Sequence, residues 1–169
     1  MPGTRIRPSK KLAVIGVTSA AFPDGGNIPA RYAEPGGNLS PALSWSALPE
    51  NTASIAILCE DPDAPGTEAF SHWVAFNLPP SMTSVPEGLP KDASPSELKG
   101  GAQGVNHFGR LGYDGPAPPR GDGPHRYQFQ IYALDEMLTL PPGASAQALR
   151  KVTKGHIVGK GVLVGLFSR

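Results

Sequence analysis

The sequence contains a single cysteine, Cys59, in 169 residues. One thiol excludes an internal disulfide framework and fits a reducing compartment. Cys59 ends the apolar run Ser54-Ile-Ala-Ile-Leu-Cys, so it reads as a buried structural thiol and not a reactive one. Long apolar runs are absent as well. Nothing approaches the roughly 20 residues of a membrane span, and Leu12 to Val17 is too short for the core of a signal peptide. The default expectation is a cytoplasmic protein. Excess charge is also lacking: 15 Lys and Arg against 14 Asp and Glu leave a formal net charge of +1. The cations are scattered except for Arg5, Arg7, Lys10 and Lys11, which read as a solvated basic tail over residues 1–11. Without a basic stripe, a nucleic-acid partner held by phosphate neutralisation is not expected.

Glycine and proline are plentiful, at 21 and 20 residues. They punctuate short apolar runs and form no tract, a pattern that predicts a β-rich domain with rigid loops. Residues 12–169 are long enough for one domain with a real core. Leu12 to Ser19 reads as a first strand, and Leu39, Leu43 and Trp45 alternate in a second. Ser54 to Cys59 is a continuous apolar run, as in a strand buried on both faces, and Trp73 to Leu78 is similar. Between Pro79 and about Pro124 there is little periodicity; one helical turn at Pro95 to Lys99 and short strands near Gly104 to Asn106 are expected there. Arg126 to Ala133 is the clearest strand, with Tyr127, Phe129, Ile131 and Ala133 on one side. Ser145 to Gly155 is the one clear helix, with Ser145 as N-cap and Gly155 just past its end. Ile157 to Phe167 closes the chain as a β-branched strand.

The candidates for chemistry are Asp61, Asp63, His72 and His125. Two carboxylates end one strand in Asp61-Pro-Asp-Ala-Pro65, and two histidines open two others, so all could meet at one rim of a sheet. Prolines 62 and 65 stiffen the backbone that carries the carboxylates. Several readings stay open on these residues alone. Histidines and backbone N–H groups in a Gly/Pro-rich loop suit an anion. Two His and one or two Asp suit zinc or iron, although no close ligand spacing supports it. An Asp–His pair suits acid/base hydrolysis, although no nucleophile motif accompanies it. Each histidine could also simply bond a neighbouring backbone group. His107 and His156 read as a loop residue and a helix C-terminal partner.

Three segments carry a wider resemblance. Asp61-Pro-Asp-Ala-Pro65, His72-Trp-Val-Ala-Phe-Asn77 and Gly115-Pro-Ala-Pro-Pro-Arg-Gly-Asp-Gly-Pro-His-Arg-Tyr127 closely resemble the phosphatidylethanolamine-binding protein family, in its bacterial and archaeal Raf kinase inhibitor-like branch. Asn38 to Trp45 and Val164 to Arg169 match that branch too. The resemblance implies a Greek-key antiparallel β-sandwich with one or two short helices, and a small anion pocket at one end of it. By position, the pocket residues it implies are Asp61, Asp63, Pro65, His72, Gly115, Ala117, Pro118, His125 and Tyr127. The backbone of Gly115 to Pro119 is expected to face the anion, and Ala64–Pro65 is the expected cis peptide. If both histidines act as imidazolium donors, phosphodiester affinity falls as pH rises past about 6.5.

The leading expectation is a non-enzymatic, regulatory protein, without cofactor or metal, that holds phosphate or a phosphoethanolamine-like head group. An inhibitor of a kinase or protease, and a phosphate- or acyl-ester hydrolase, are the alternatives. Bacterial members often form homodimers, which the resemblance extends to this chain. Two departures from the eukaryotic pattern stand out. Thr67-Glu-Ala-Phe-Ser71 offers Phe70 as the only ring before the pocket histidine, and no C-terminal helix follows the last strand.

Overall fold

The computed structural model describes residues 11–169; apart from Lys11, the basic tail lies outside the described residues. Its strands in chain order are β1 (Ala13–Val14), β2 (Val17–Thr18), β3 (Leu43–Trp45), β4 (Ser54–Asp61), β5 (Phe70–Leu78), β6 (Ser84–Val85), β7 (Ala102–Gln103), β8 (His125–Leu134) and β9 (Ile157–Phe167). Among the described residues a single α-helix, α1 (Ala146–Thr153), lies between β8 and β9, and short 3-10 turns occupy Ala30–Tyr32 and Ser96–Leu98. The architecture is mainly β, in two sheets. The larger has the order β1-β9-β8-β4-β5-β7 and the smaller β2-β3-β6. Among the described residues, the named strands pair antiparallel except β1 with β9, which run parallel.

β4 occupies the middle of the large sheet, and all eight of its residues are buried. Ile55, Ile57 and Cys59 enter the core shared with Val17, Leu43, Trp45 and Val85 of the small sheet. Ala56 and Leu58 enter a second core with Val74, Phe76 and Leu149, beneath α1. Burial on both faces is why the run is continuously apolar and does not alternate. Cys59 is buried, and burial pushes its thiol pKa up, as a structural role requires. The helix is placed as its signals predict. The Ala148 N–H donates to Ser145 Oγ at 3.1 Å, and Gly155 adopts φ +80° beyond the last turn.

The expected first strand is broken in two. β1 pairs with β9, then Ile15 N donates to Lys160 O and Gly16 N to Ser46 Oγ, and β2 pairs with β3 in the other sheet. The chain changes sheets at Ile15–Gly16, a step that composition does not mark. The aperiodic stretch after Pro79 is held by buried amides. Gln103 Oε1 accepts from Trp73 Nε1 at 2.9 Å, and its Nε2 donates to the carbonyls of Pro90 and Asp92. Two short strands lie there, β6 and β7, and neither is at Gly104 to Asn106, where Val105 makes only an isolated bridge to Leu111.

Candidate functional site

β4 lies between β8 and β5, and both neighbours run opposite to it. Its last residue, Asp61, therefore sits beside the first residues of both: Phe70 and His72 on β5, His125 and Tyr127 on β8. Antiparallel pairing thus brings three distant sequence segments to one rim. There a cavity of about 190 Å³ opens. Asp61, Pro65, His72, Ala117, Pro118, His125 and Tyr127 line it, together with Ala64, Phe70, Phe108 and Pro119.

The loop after β4 is shaped by its own side chain: Asp61 Oδ1 accepts from Asp63 N at 2.7 Å, an Asx turn. Gly66, at φ +114°, completes the reversal. No cis peptide occurs among the described residues, so the expected cis Ala64–Pro65 is trans; the Asx turn and Gly66 reverse the chain without it. Asp63 does not line the cavity. It accepts from Arg126 Nε at 3.0 Å, Nη2 at 2.8 Å and the Arg126 backbone N–H at 2.8 Å. That clamp lowers its pKa to about 2. Its place is to fasten the Asp61 loop to β8.

Gly115 is not a lining residue either. A Cβ there would lie 1.9 Å from the Tyr32 carbonyl oxygen, so close backbone approach is what demands glycine. The expected row of backbone donors is corrected as well. Gly115 N already donates to Asn38 Oδ1 at 2.8 Å. Pro116, Pro118 and Pro119 carry no N–H, which leaves Ala117 alone in the segment.

The two histidines differ in charge. His125 Nδ1 lies 2.7 Å from Asp61 Oδ2, and Nε2 lies 3.1 Å from Asp122 Oδ2. Both nitrogens can donate only if the ring is an imidazolium. Burial opposes that charge, but the hydrogen bonds to Asp61 and Asp122 outweigh it, and the pKa is raised above 6.5. His72 Nδ1 lies 2.7 Å from the Asp114 carbonyl oxygen. A carbonyl only accepts, so Nδ1 carries the proton. Burial lowers the His72 pKa despite that bond, which makes the ring neutral at pH 7. The expectation of two imidazolium donors is therefore corrected for His72. Tyr127 is buried, and burial followed by the neighbouring Asp61 charge pushes its pKa up, so its hydroxyl stays protonated.

Phe70, His72, Phe108 and Tyr127 form an aromatic wall. Phe70 and Phe108 meet edge to face with centroids 4.9 Å apart, and His72 lies 5.1 Å from Phe70 and 5.2 Å from Tyr127. Phe108 was not among the sequence candidates, because its loop has no periodicity to signal it. His107 is more than a loop residue: its Nδ1 accepts from Ser71 N at 2.9 Å, which ties that loop to β5. His156 bonds Asp135 Oδ1 at 2.9 Å beside the helix end. Asp114, in a loop whose sequence carries no motif to mark it, is 1% exposed. Its carboxylate accepts from Asn38 and Asn106 at 2.8 Å each, and from Arg110 Nε at 3.1 Å. Among the described residues, no group of three or more His, Cys, Asp or Glu is arranged to hold a metal.

With this geometry in place, comparison with known proteins assigns the family. The family description "Phosphatidylethanolamine-binding protein" matches residues 18–168. The chain belongs to this family. A UPF0098 protein of Pyrococcus horikoshii is 47% identical over 152 residues, covering 89% of this chain and 75% of the relative. A UPF0098 protein of Methanothermobacter thermautotrophicus is 46% identical over 149 residues, covering 88% and 95%. Among solved structures, Escherichia coli YbcL, described as a member of the mammalian PEBP family, superposes with a TM-score of 0.85 at 30% identity, over 92% of this chain and 98% of its own. A Chlamydia trachomatis homologue gives 0.80 at 34%, with the same coverage. As in these relatives, the family fold is mainly β, and no described helix of this member is long and apolar enough to cross a membrane.

Proposed function

We propose that this family member is a non-catalytic, regulatory binding protein whose pocket receives a zwitterionic phospho head group of the phosphoethanolamine kind. The observation that carries this reading is the mixed character of the lining. Its acceptor end holds the buried Asp61 carboxylate, and its walls are the faces and edges of Phe70, Phe108 and Tyr127. A carboxylate with aromatic neighbours favours an ammonium. The Tyr127 hydroxyl, the Ala117 N–H and the charged His125 ring favour the phosphate. A bare anion would use only these donors and would leave the Asp61 carboxylate facing like charge, without a cation from the ligand.

Turnover through the Asp61–His125 pair is disfavoured by the occupancy of His125. A general base needs a free nitrogen within reach of the proton it takes. Both of its nitrogens are engaged by carboxylates, and no Ser, Thr, Cys or Lys lines the cavity.

Titration calorimetry with O-phosphoethanolamine and inorganic phosphate, on wild type and Asp61→Asn, tests the proposal. Phosphoethanolamine should lose about tenfold more affinity than phosphate, the worth of a charged hydrogen bond. Equal losses would remove the ammonium from the reading. Ester turnover present in wild type and lost in His125→Ala would overturn the non-catalytic part.

A further inference from the structure

We propose that His72 is a fixed hydrogen-bond acceptor which, with Asp61, makes the pocket select head groups that present a hydrogen, P–OH or N–H, over fully ionised oxyanions such as sulfate. The inference rests on the head-group reading above and sharpens it to a rule of ligand chemistry.

The carbonyl that His72 bonds belongs to a braced residue. Asp114 cannot shift easily. Its N–H donates to the His72 carbonyl at 3.1 Å, and its side chain is gripped by Asn38, Asn106, Arg110 and Lys91 from separate parts of the chain. Asn106 is itself tied to the Gly112 carbonyl at 3.0 Å, and Gly115 is pressed against Tyr32. The oxygen facing His72 Nδ1 is thus held in place, and it demands a proton from that nitrogen.

The ring cannot turn to exchange its nitrogens. His72 is 3% exposed, with Phe70, Phe108 and Tyr127 packed around it at centroid distances of 5.1, 5.6 and 5.2 Å. With the proton on Nδ1, Nε2 has only a lone pair to offer. The ring borders the cavity, with the backbone of Gly115 as its second polar neighbour after the Asp114 carbonyl. Asp61, which also lines the cavity, likewise only accepts, whereas the Tyr127 hydroxyl and the Ala117 N–H remain donors. At these two acceptors an ionised oxyanion brings lone pairs to lone pairs. A phosphate that keeps one proton, or an ammonium, completes both acceptors. Asp114 is the positioning residue of this selection, because it fixes which nitrogen of His72 carries the proton.

The test pairs spectroscopy with binding. In the ligand-free protein at pH 7, nitrogen-15 NMR should show the His72 ring neutral with its proton on Nδ1. Inorganic phosphate should bind at least about tenfold more tightly than sulfate at matched ionic strength. In His72→Gln, whose amide can turn its NH₂ to the ligand, that ratio should collapse. O-Phosphoethanolamine and 2-aminoethyl hydrogen sulfate identify the donor. Equal affinity assigns it to the ammonium, and a tenfold loss for the sulfate assigns it to P–OH; both support the acceptor rule. A proton on Nε2, a charged His72 ring, or sulfate binding within twofold of phosphate would overturn it. A failure of O-phosphoethanolamine to bind at millimolar concentration would instead overturn the head-group reading, with the NMR result still deciding the state of His72.

Discussion

Asparagine has the shape of aspartate, so Asp114→Asn removes one acceptor and the charge while leaving the volume unchanged. The structure sets the size of the effect. In the native site, Asp114 Oδ1 accepts from Asn38 Nδ2 and Oδ2 from Asn106 Nδ2, both at 2.8 Å. Whichever way the new amide turns, its NH₂ faces one of these two donors. One buried charge-assisted bond is lost, worth about 1.5–3 kcal/mol, and the other weakens to a neutral bond, a further ~1 kcal/mol. Arg110 and Lys91 add little, because their side chains are 53% and 42% exposed and solvent screens them. The sum is about 3 kcal/mol, or roughly 6–12 °C in Tm for a domain of this size. Equilibrium unfolding in urea measures it, with the slope checked for two-state behaviour. A loss under about 1 kcal/mol would refute the claim that Asp114 is the anchor of this wall.

Two further perturbations probe the same scaffold. Gly115→Ala forces a methyl group to within 1.9 Å of the Tyr32 carbonyl oxygen, so the two segments must part; a destabilisation of about 2–3 kcal/mol in the same assay is expected. The pH dependence separates the histidines. His125 has a raised folded pKa, so its stabilisation is complete below the unfolded value of about 6.5 and is lost as pH rises through the folded value. The stability gap between wild type and His125→Gln should therefore be widest near pH 6 and narrow toward pH 8; a gap that is constant over this range contradicts the assignment. His72 acts in the opposite sense: its lowered pKa costs stability as pH falls below about 6.5, since only the unfolded chain readily takes the proton.

Much of this architecture can be read from the residues alone. The unbroken apolar run at Ser54 to Cys59, the alternation from Tyr127 to Ala133 and the cap residues Ser145 and Gly155 each report a local cause, burial or backbone geometry, that acts within a few residues. The change of sheet at Ile15–Gly16 has no such signal, because partners thirty and more residues away decide it: Ser46 for Gly16 and Lys160 for Ile15. The aperiodic region from Pro79 to Pro124 was legible only as a long loop. Its order comes from single buried amides, Gln103 and Asn106, which leave no period in the sequence.

The same division runs through the site. The sequence by itself determined that Asp61, His72, His125 and Tyr127 stand at the ends of strands, because strand period and proline stiffening are local properties. Only the tertiary structure decided what each of them is. His125 is charged because Asp61 and Asp122 converge on it, and His72 is neutral because burial opposes its charge, with the Asp114 carbonyl fixing the remaining proton on Nδ1. Protonation follows from the three-dimensional arrangement of charges, dipoles and solvent around a group, and residue order does not carry that arrangement.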